Sequence, residues 1–407
     1  MSDVALAAQM TGWPLGPPPR DYVLGHVRAV LPDAVLDDAR VVVRQGRIAA
    51  VEPHVAGSGC DVDGRGLLCL PGLIDVHSDA LEREHQPRPS ARLPWDFALL
   101  SLEGKLRAAG VTTVFHGAGF QHKTSRGTER TPGSAKALCE TVGGRTAAPV
   151  DHRLLYRLDV RSAEGAAALR EQLAAAVGTP LVSHEDHTPG QGQYTDRRYM
   201  EEYLVGADGM SAEQAREHVD GLIAERSQYG AVLERNLSWL GESARAGRIR
   251  LFGHDPDSAE AVGALCARGG AVAEFPTTVD AARAAREHGL PIVMGAPNVL
   301  RGTSHSGNVS ARELVGLGLV TALASDYLPS GLLAAAFQLV SAGLADLPTA
   351  VALVTAGPAE VAGLSDRGSL RPGLRADLAL VRPGSPWPEV WAVLRAAVDV
   401  ECEGGTR

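Results

Sequence analysis

Lysine is almost missing from this chain. Only Lys105, Lys123 and Lys136 occur in 407 residues, and arginine carries the remaining basic charge. There is no excess of positive charge either: the formal net charge is −9, which argues against a nucleic-acid partner without fixing the charge of any local pocket. Cysteine is scarce. Cys60, Cys69, Cys139, Cys266 and Cys402 are scattered, odd in number and without C-x-x-C spacing. That excludes a disulfide-built scaffold and reads as the reduced thiols of a cytoplasmic protein. No apolar run is long enough to span a bilayer, so no membrane partner is expected. The opening "MSDVALAAQMTGWPLGPPPRD" lacks a basic n-region and is broken by Gly and Pro, so it does not read as a signal peptide. No internal repeat is visible.

What is present is enough for a large core. Hydrophobic residues make up 45% of the chain, and its length suits one large domain with a small one. Residues 1–20 read as a flexible, Pro-rich leader. From residue 21 to 69, short Val-rich runs broken by "PD" and "QG" have the texture of a β-meander. The stretch 365–407, with "RPGLRADLALVRPG", returns to turns and strands. Between them, over 70–364, apolar strands alternate with Ala- and Arg-rich helical patterns. Strands are expected near 73–77, 111–116, 154–159, 180–184, 249–254, 271–275, 291–295 and 319–326. Alternating β and α units imply a parallel sheet, and about eight of them imply an α/β chain folded as a (β/α)8 TIM-like barrel. The stretch 188–248 is too long for a simple connection and carries helical patterns. It reads as an insertion, either a lid over the barrel mouth or a structural elaboration.

Active sites of such barrels lie at the C-terminal ends of the strands. The first end reads "LPGLIDVHSDALERE". A strand alternates faces with period two, so His77 and Asp79 point the same way, an arrangement that a divalent metal favours and core packing does not require. Further ends carry Asp159 in "LLYRLD", His184, Glu185, Asp186 and His187 in "LVSHEDH", His254 and Asp255 in "LFGHD", Glu274 in "AVAEF", and Asp326 in "ALASD". One such residue alone is usually a cap or a satisfied polar group. Six strand ends carrying imidazole or carboxylate make a site for Zn, Mn or a similar ion, with room for two ions.

Four blocks give the chain a specific likeness: "HSDALEREHQPRPSARLP" (77–94), "DHTPGQGQY" (186–194), "AEFPTTVDAARAAREHGLPIVMGAPNVLRGTSHSGNVSA" (273–311) and "ASDYLPSGLLAAAF" (324–337). With "PGLIDVHSD" and "LRADLALV", they resemble the amidohydrolase superfamily, and more closely its PhnM-like group of α-D-ribose 1-methylphosphonate 5-triphosphate diphosphatases. The resemblance implies a barrel with a small β-sandwich formed by both chain ends. It also implies two divalent metal ions as cofactors, Zn first, with Mn or Fe as alternatives. His77 and Asp79 match a His-x-Asp variant of the superfamily's first ligand pair. Many relatives bridge the two ions with a carboxylated lysine, and no lysine follows residue 136 here. The resemblance therefore nominates Asp159 as the bridging carboxylate, His187 and His254 as the later histidine ligands, and Asp326 as the strand-eight aspartate, both ligand and general base.

The same resemblance implies the reaction. A metal-bound hydroxide attacks the α-phosphorus of a ribose 5-triphosphate and pyrophosphate leaves, so the partner is a small anionic molecule. Candidate substrate contacts are Arg83 and Arg88 beyond the first strand (with Arg92 nearby), and Asn298, Arg301, His305 and Asn308 in the Gly- and Ser-rich block after residue 295. Gln191 could meet sugar hydroxyls or cap the insertion. His116, His122 and Lys123 read as substrate contacts or as solvated loop residues. His184 and Glu185 are more polar than relatives tend to be there. The alternative reading is an amidohydrolase-type C–N bond hydrolase acting on an amide, cyclic amidine or guanidine. A homo-oligomer is left open.

Overall fold

The computed structural model describes residues 17–88, 90–121, 130–146, 148–304, 307–384 and 386–396. His305, Ser306, His122, Lys123 and Cys402 lie outside these described residues, as does most of the leader.

The first five strands are β1 (Tyr22–Val30), β2 (Val35–Arg44), β3 (Arg47–Pro53), β4 (Val62–Asp63) and β5 (Leu68–Pro71). The last two are β14 (Leu378–Arg382) and β15 (Glu389–Leu394). Together they form one seven-stranded sheet in the order β15-β14-β5-β1-β2-β3, with β4 beside β1. The two chain ends meet where β14 runs antiparallel to β5, Leu378 opposite Pro71 and Val381 opposite Leu68. Tyr22, Leu24, Val41, Ile48, Cys69 and Leu378 are among the residues that give this sheet a core of its own.

The second sheet has eight parallel strands in chain order: β6 (Leu73–Ser78), β7 (Val111–Phe120), β8 (Asp151–Asp159), β9 (Leu181–Glu185), β10 (Arg250–His254), β11 (Val272–Glu274), β12 (Ile292–Gly295) and β13 (Ala322–Ala324). All eight expected strands are present. The sheet curls back on itself just past β13, where the Asp326 N–H donates to the His77 carbonyl at 2.9 Å and the Asp79 N–H to the Asp326 carbonyl at 2.6 Å. The interior is packed by apolar side chains from every strand, among them Ile74, Phe115, Leu155, Leu181, Phe252 and Val293. Leu106, Leu138, Leu169, Leu265 and Leu339 fill the layer between strands and helices. Truncating one such fully buried residue to Ala costs about 2–5 kcal/mol.

Strand parity decides which polar residues face the barrel axis. Leu181, Ser183 and Glu185 alternate on β9, so Glu185 points inward with Leu181 and His184 points into the helix layer. On β7, Phe115 and Gly117 face inward, which turns His116 outward. In β6 the parity breaks. Ile74 and Val76 belong to the interior, yet His77 is needed there too. The β6–β7 register slips between Asp75, opposite Val114, and Ser78, opposite His116. This bulge inserts one residue, so His77 and Asp79 both turn to the mouth.

Between β9 and β10 the chain forms three helices, Arg198–Asp208, Ala212–Ser227 and Gly230–Arg245. The second begins with a capping box, Ser211 with Gln214. Leu204, Ala215 and Val219 give the insertion a small core of its own. Among the described residues no helix is long and apolar enough to cross a membrane, and Cys60, Cys69, Cys139 and Cys266 are free thiols.

Candidate metal centre

Glu274, at the end of β11, organises the mouth. Its Oε1 accepts the Nδ1–H of His77 and its Oε2 the Nδ1–H of His254, each at 2.7 Å, while the Ser183 hydroxyl donates to Oε2 at 2.6 Å. With both Nδ1 atoms committed, each imidazole is left with Nε2 to offer. Burial alone would raise the pKa of Glu274, but the facing imidazoles His77 and His254 hold it well below the usual carboxylate range. Glu274 joins two ligand candidates that the chain supplies 177 residues apart, His77 and His254, and with them forms a candidate ligand group of its own.

One group of candidate ligands is His77, Asp79 and Asp326, which can each bring one donor atom within 4.8 Å of the others. His77 Nε2 is 3.5 Å from Asp79 Oδ1. Asp79 is also held by cations. Arg157 Nη1 donates to its two oxygens at 2.7 and 2.6 Å, and Arg130 Nη2 to Oδ2 at 2.7 Å. Burial opposes ionisation of Asp79, yet these guanidinium groups, Arg157 first, keep its pKa well below the ordinary value. Gly117 makes the arrangement possible, since a Cβ there would come within 2.6 Å of Asp79 Oδ1. Asp326 has a left-handed backbone, φ 55°, fixed by its two bonds to β6. Burial, and then the charge of Asp79, raise its pKa, the direction that suits a proton acceptor near neutral pH.

The second group is Glu185, His187 and His254, again with one donor atom each within 4.8 Å. Glu185 also accepts from Arg157 Nη2 at 2.7 Å and from the Gln121 amide at 2.7 Å. His77 and His254 stack with ring centroids 5.7 Å apart, so the two groups adjoin. Imidazole and carboxylate without thiolate is a donor set for Zn, Mn or Fe, and the committed Nδ1 atoms leave His77 and His254 with Nε2 for a metal. The residues fit a divalent ion.

Asp159, expected to bridge two ions, does not join any of these groups. Arg226 of the helix Ala212–Ser227 holds both its oxygens, Nη1 to Oδ2 at 3.0 Å and Nη2 to Oδ1 at 2.9 Å. Arg226 also reaches Asp186 Oδ1 at 2.9 Å, and Arg161 Nε meets Asp186 Oδ2 at 2.7 Å. Asp159 and Asp186 therefore tie the insertion to the mouth. Glu185, by contrast, lies with His187 and His254.

The expected substrate contacts are spread out. Arg83 is exposed and lies over the Tyr327 ring at 5.0 Å. Arg88 is exposed in a short turn with Ala91. The Gln191 amide donates to the Asp186 carbonyl at 3.3 Å. Asn298 staples its own loop, accepting from Ala311 N–H at 2.9 Å and donating to the Val309 carbonyl at 3.4 Å. Asn308 donates to the Gln193 carbonyl at 3.2 Å and lines a cleft of about 840 Å³ with Thr195, Asp257, Thr277, Thr278 and Ser304. Arg301 is exposed at the end of the helix Ala296–Arg301. Arg157 went unnoticed in the sequence. Its signal was parity: it lies two residues before Asp159, on the inward face of β8.

No family model matches the chain. The α-D-ribose 1-methylphosphonate 5-triphosphate diphosphatase of Escherichia coli (strain K12) is 35% identical to it over 362 residues, covering 88% of this chain and 94% of that protein. Among solved structures, an enamidase described as a member of the amidohydrolase superfamily matches with a TM-score of 0.59 at 18% identity, covering 93% of this chain and 96% of that one. A guanine deaminase from C. acetobutylicum matches with a TM-score of 0.57 at 12% identity, over 90% of this chain and 92% of that one. At such identities these two structures speak for the fold alone.

Proposed function

The chain belongs to the amidohydrolase superfamily and, within it, to the family of the α-D-ribose 1-methylphosphonate 5-triphosphate diphosphatase, and on that premise we propose that it is a divalent-metal-dependent diphosphatase of phosphonate metabolism. The observation that carries the reading is the joined pair of ligand groups around Glu274, in a chain 35% identical to that diphosphatase over nearly its whole length. The substrate is α-D-ribose 1-methylphosphonate 5-triphosphate, and pyrophosphate is the leaving group.

Glu185, His187 and His254 would hold the ion, with Glu185 rather than Asp159 as the carboxylate ligand. When bound, a divalent ion supplies positive charge to the phosphoryl oxygens and lowers the pKa of water at the site. Arg157 contributes a fixed positive charge between Asp79 and Glu185. Two guanidinium groups, Arg157 and Arg130, hold the oxygens of Asp79, whereas Glu185 meets one guanidinium and the neutral Gln121 amide, so the Glu185 group is the less blocked seat and would hold one ion tightly. Asp326, rigid at the end of β13 and raised in pKa, accepts the proton of the attacking water. The cleft that Asn308 lines, rich in Ser and Thr hydroxyls, is the candidate seat for the ribose. Arg301, His305 and Asn308, which follow β12 in sequence, are the candidates for the phosphate chain, and Arg83, Arg88, Gln191 and Asn298 are candidates for further contacts.

The test is product analysis. Metal-loaded protein incubated with the ribosyl triphosphate should release pyrophosphate and no orthophosphate, and chelation should abolish release. Turnover of amide, cyclic amidine or guanidine substrates, with the triphosphate untouched, would favour C–N bond hydrolysis instead.

A further inference from the structure

Resting on the metal-dependent reading above, we infer that Asp255 is the fourth ligand of the Glu185–His187–His254 seat. Asp255 follows His254 at the end of β10. Its Oδ2 is buried and has no hydrogen-bond partner among the described residues. It stands 3.5 Å from His254 Nε2 and 3.6 Å from His187 Nε2. These distances are too long for hydrogen bonds. They are close to the edge of a tetrahedral site, since ligand bonds of about 2.0–2.2 Å at tetrahedral angles separate the donor atoms by about 3.4 Å. The Nε2 of His254 is the nitrogen left over after Nδ1 has gone to Glu274. A buried carboxylate oxygen facing two imidazole nitrogens at these separations is a donor set for a cation.

The backbone agrees. Asp255 has φ 52°, the left-handed region that an L-residue adopts at a cost. The strain is held by its N–H, which donates to the Glu274 carbonyl at 2.8 Å. Ordinary uses for an Asp at a strand end are taken by others. Ser258 caps the following helix, Ala259–Ala267. Asp257 accepts the Gly192 N–H at 2.9 Å. Gly192 packs against Asp255, where a Cβ would come to 3.5 Å of the Asp255 Cβ, and this closes one side of the seat. The strained residue therefore aims its carboxylate at the histidines without serving as a cap.

The experiment titrates metal-free protein with Co(II), followed by calorimetry and visible absorption, for the wild type, Asp255→Asn and Asp255→Gly. Asn tolerates the left-handed conformation, and Gly relieves it. Both variants should bind Co(II) more than about tenfold more weakly. Their absorption bands should weaken as the tetrahedral ligand set is lost. Melting of the metal-free variants checks that both are folded, Gly relieving the left-handed strain at this position. Unchanged Co(II) affinity and spectrum in both variants would overturn the assignment. A wild type that takes up no Co(II) would instead overturn the metal reading beneath it.

Discussion

Asp159 and Glu185 are register partners across β8 and β9, yet their carboxylates serve different ends. Asp159 is gripped by Arg226 from the insertion, whereas Glu185 faces the histidines. Glu185→Gln should therefore lose metal affinity by at least about tenfold. Asp159→Asn should keep its metal and loosen the insertion, since removing one partner of a buried ion pair costs about 3–5 kcal/mol locally. Elemental analysis and limited proteolysis of the two variants check this together. Metal loss in Asp159→Asn, with Glu185→Gln unaffected, would restore Asp159 as the bridging ligand.

Arg157 lies between two carboxylates that could otherwise draw a second ion. Arg157→Met frees Oδ1 of Asp79, while Arg130 still holds Oδ2. In excess divalent metal, the variant should take up about two equivalents where the wild type holds about one, as carboxylates left without a guanidinium recruit another cation. Without metal it should be less stable than wild type by about 3–5 kcal/mol, because a buried carboxylate has lost its counter-charge. Metal-to-protein ratios after gel filtration are the measurement. Two equivalents in the wild type would show that the guanidinium does not exclude the second ion.

The eight strands and the mouth they share were legible because each strand is a short apolar run that stops at a polar residue. The candidate site was legible only in part. His77, Asp79, His187, His254 and Asp326 all fall into candidate ligand groups, because residues at strand ends have one way to face. Asp159 and Glu185 look alike in sequence, and what separates them is Arg226, 67 residues beyond Asp159 in an insertion whose path the sequence does not reveal. Glu274 was visible as an acid at a strand end. Its role depends on a hydrogen bond to His77, 197 residues away. The bulge in β6 was hidden as well, since strict alternation puts Ile74 and His77 on opposite faces. His184 and Glu185 were noted together, and only the inward position of Leu181 assigns them to opposite sides of the sheet.

His116 offers a pH prediction away from the centre. It points into the helix layer, where its Nε2 meets His152 Nδ1 at 2.9 Å and His152 in turn meets Glu103 at 3.1 Å. Burial, then the neighbouring His152, push its pKa well below the ordinary value. Below a pH of about 6.5 the unfolded chain therefore binds a proton that the native protein does not. Stability is full above that pH and declines as pH falls, by up to about 1.4 kcal/mol per pH unit for one such group. Replacing it as His116→Asn should flatten the decline between pH 7 and 5. Urea midpoints of metal-free wild type and variant give the two slopes. Parallel slopes would show that His116 does not carry the effect.

Asp326 carries the chemistry in the proposed reaction. Its backbone is locked to β6 through His77 and Asp79, so its carboxylate has little freedom. The role of helix cap is not available to it, since the next helix, Gly331–Ser341, begins after Ser330. It groups with His77 and Asp79, apart from the Glu185 seat, so removing its basic oxygen should spare the tightly held ion. Asp326→Asn preserves shape and takes away the proton acceptor. Turnover should fall by about 10²–10⁴, the usual contribution of a positioned base, while metal content and melting temperature stay near wild type. The acid limb of the pH–rate profile, set in the wild type by deprotonation of Asp326, should vanish from the residual activity. Rates must be normalised to folded, metal-loaded protein, because a drop from metal loss alone would mimic the effect. Near wild-type turnover under that normalisation would remove Asp326 from the reaction and leave the attacking water to another acceptor.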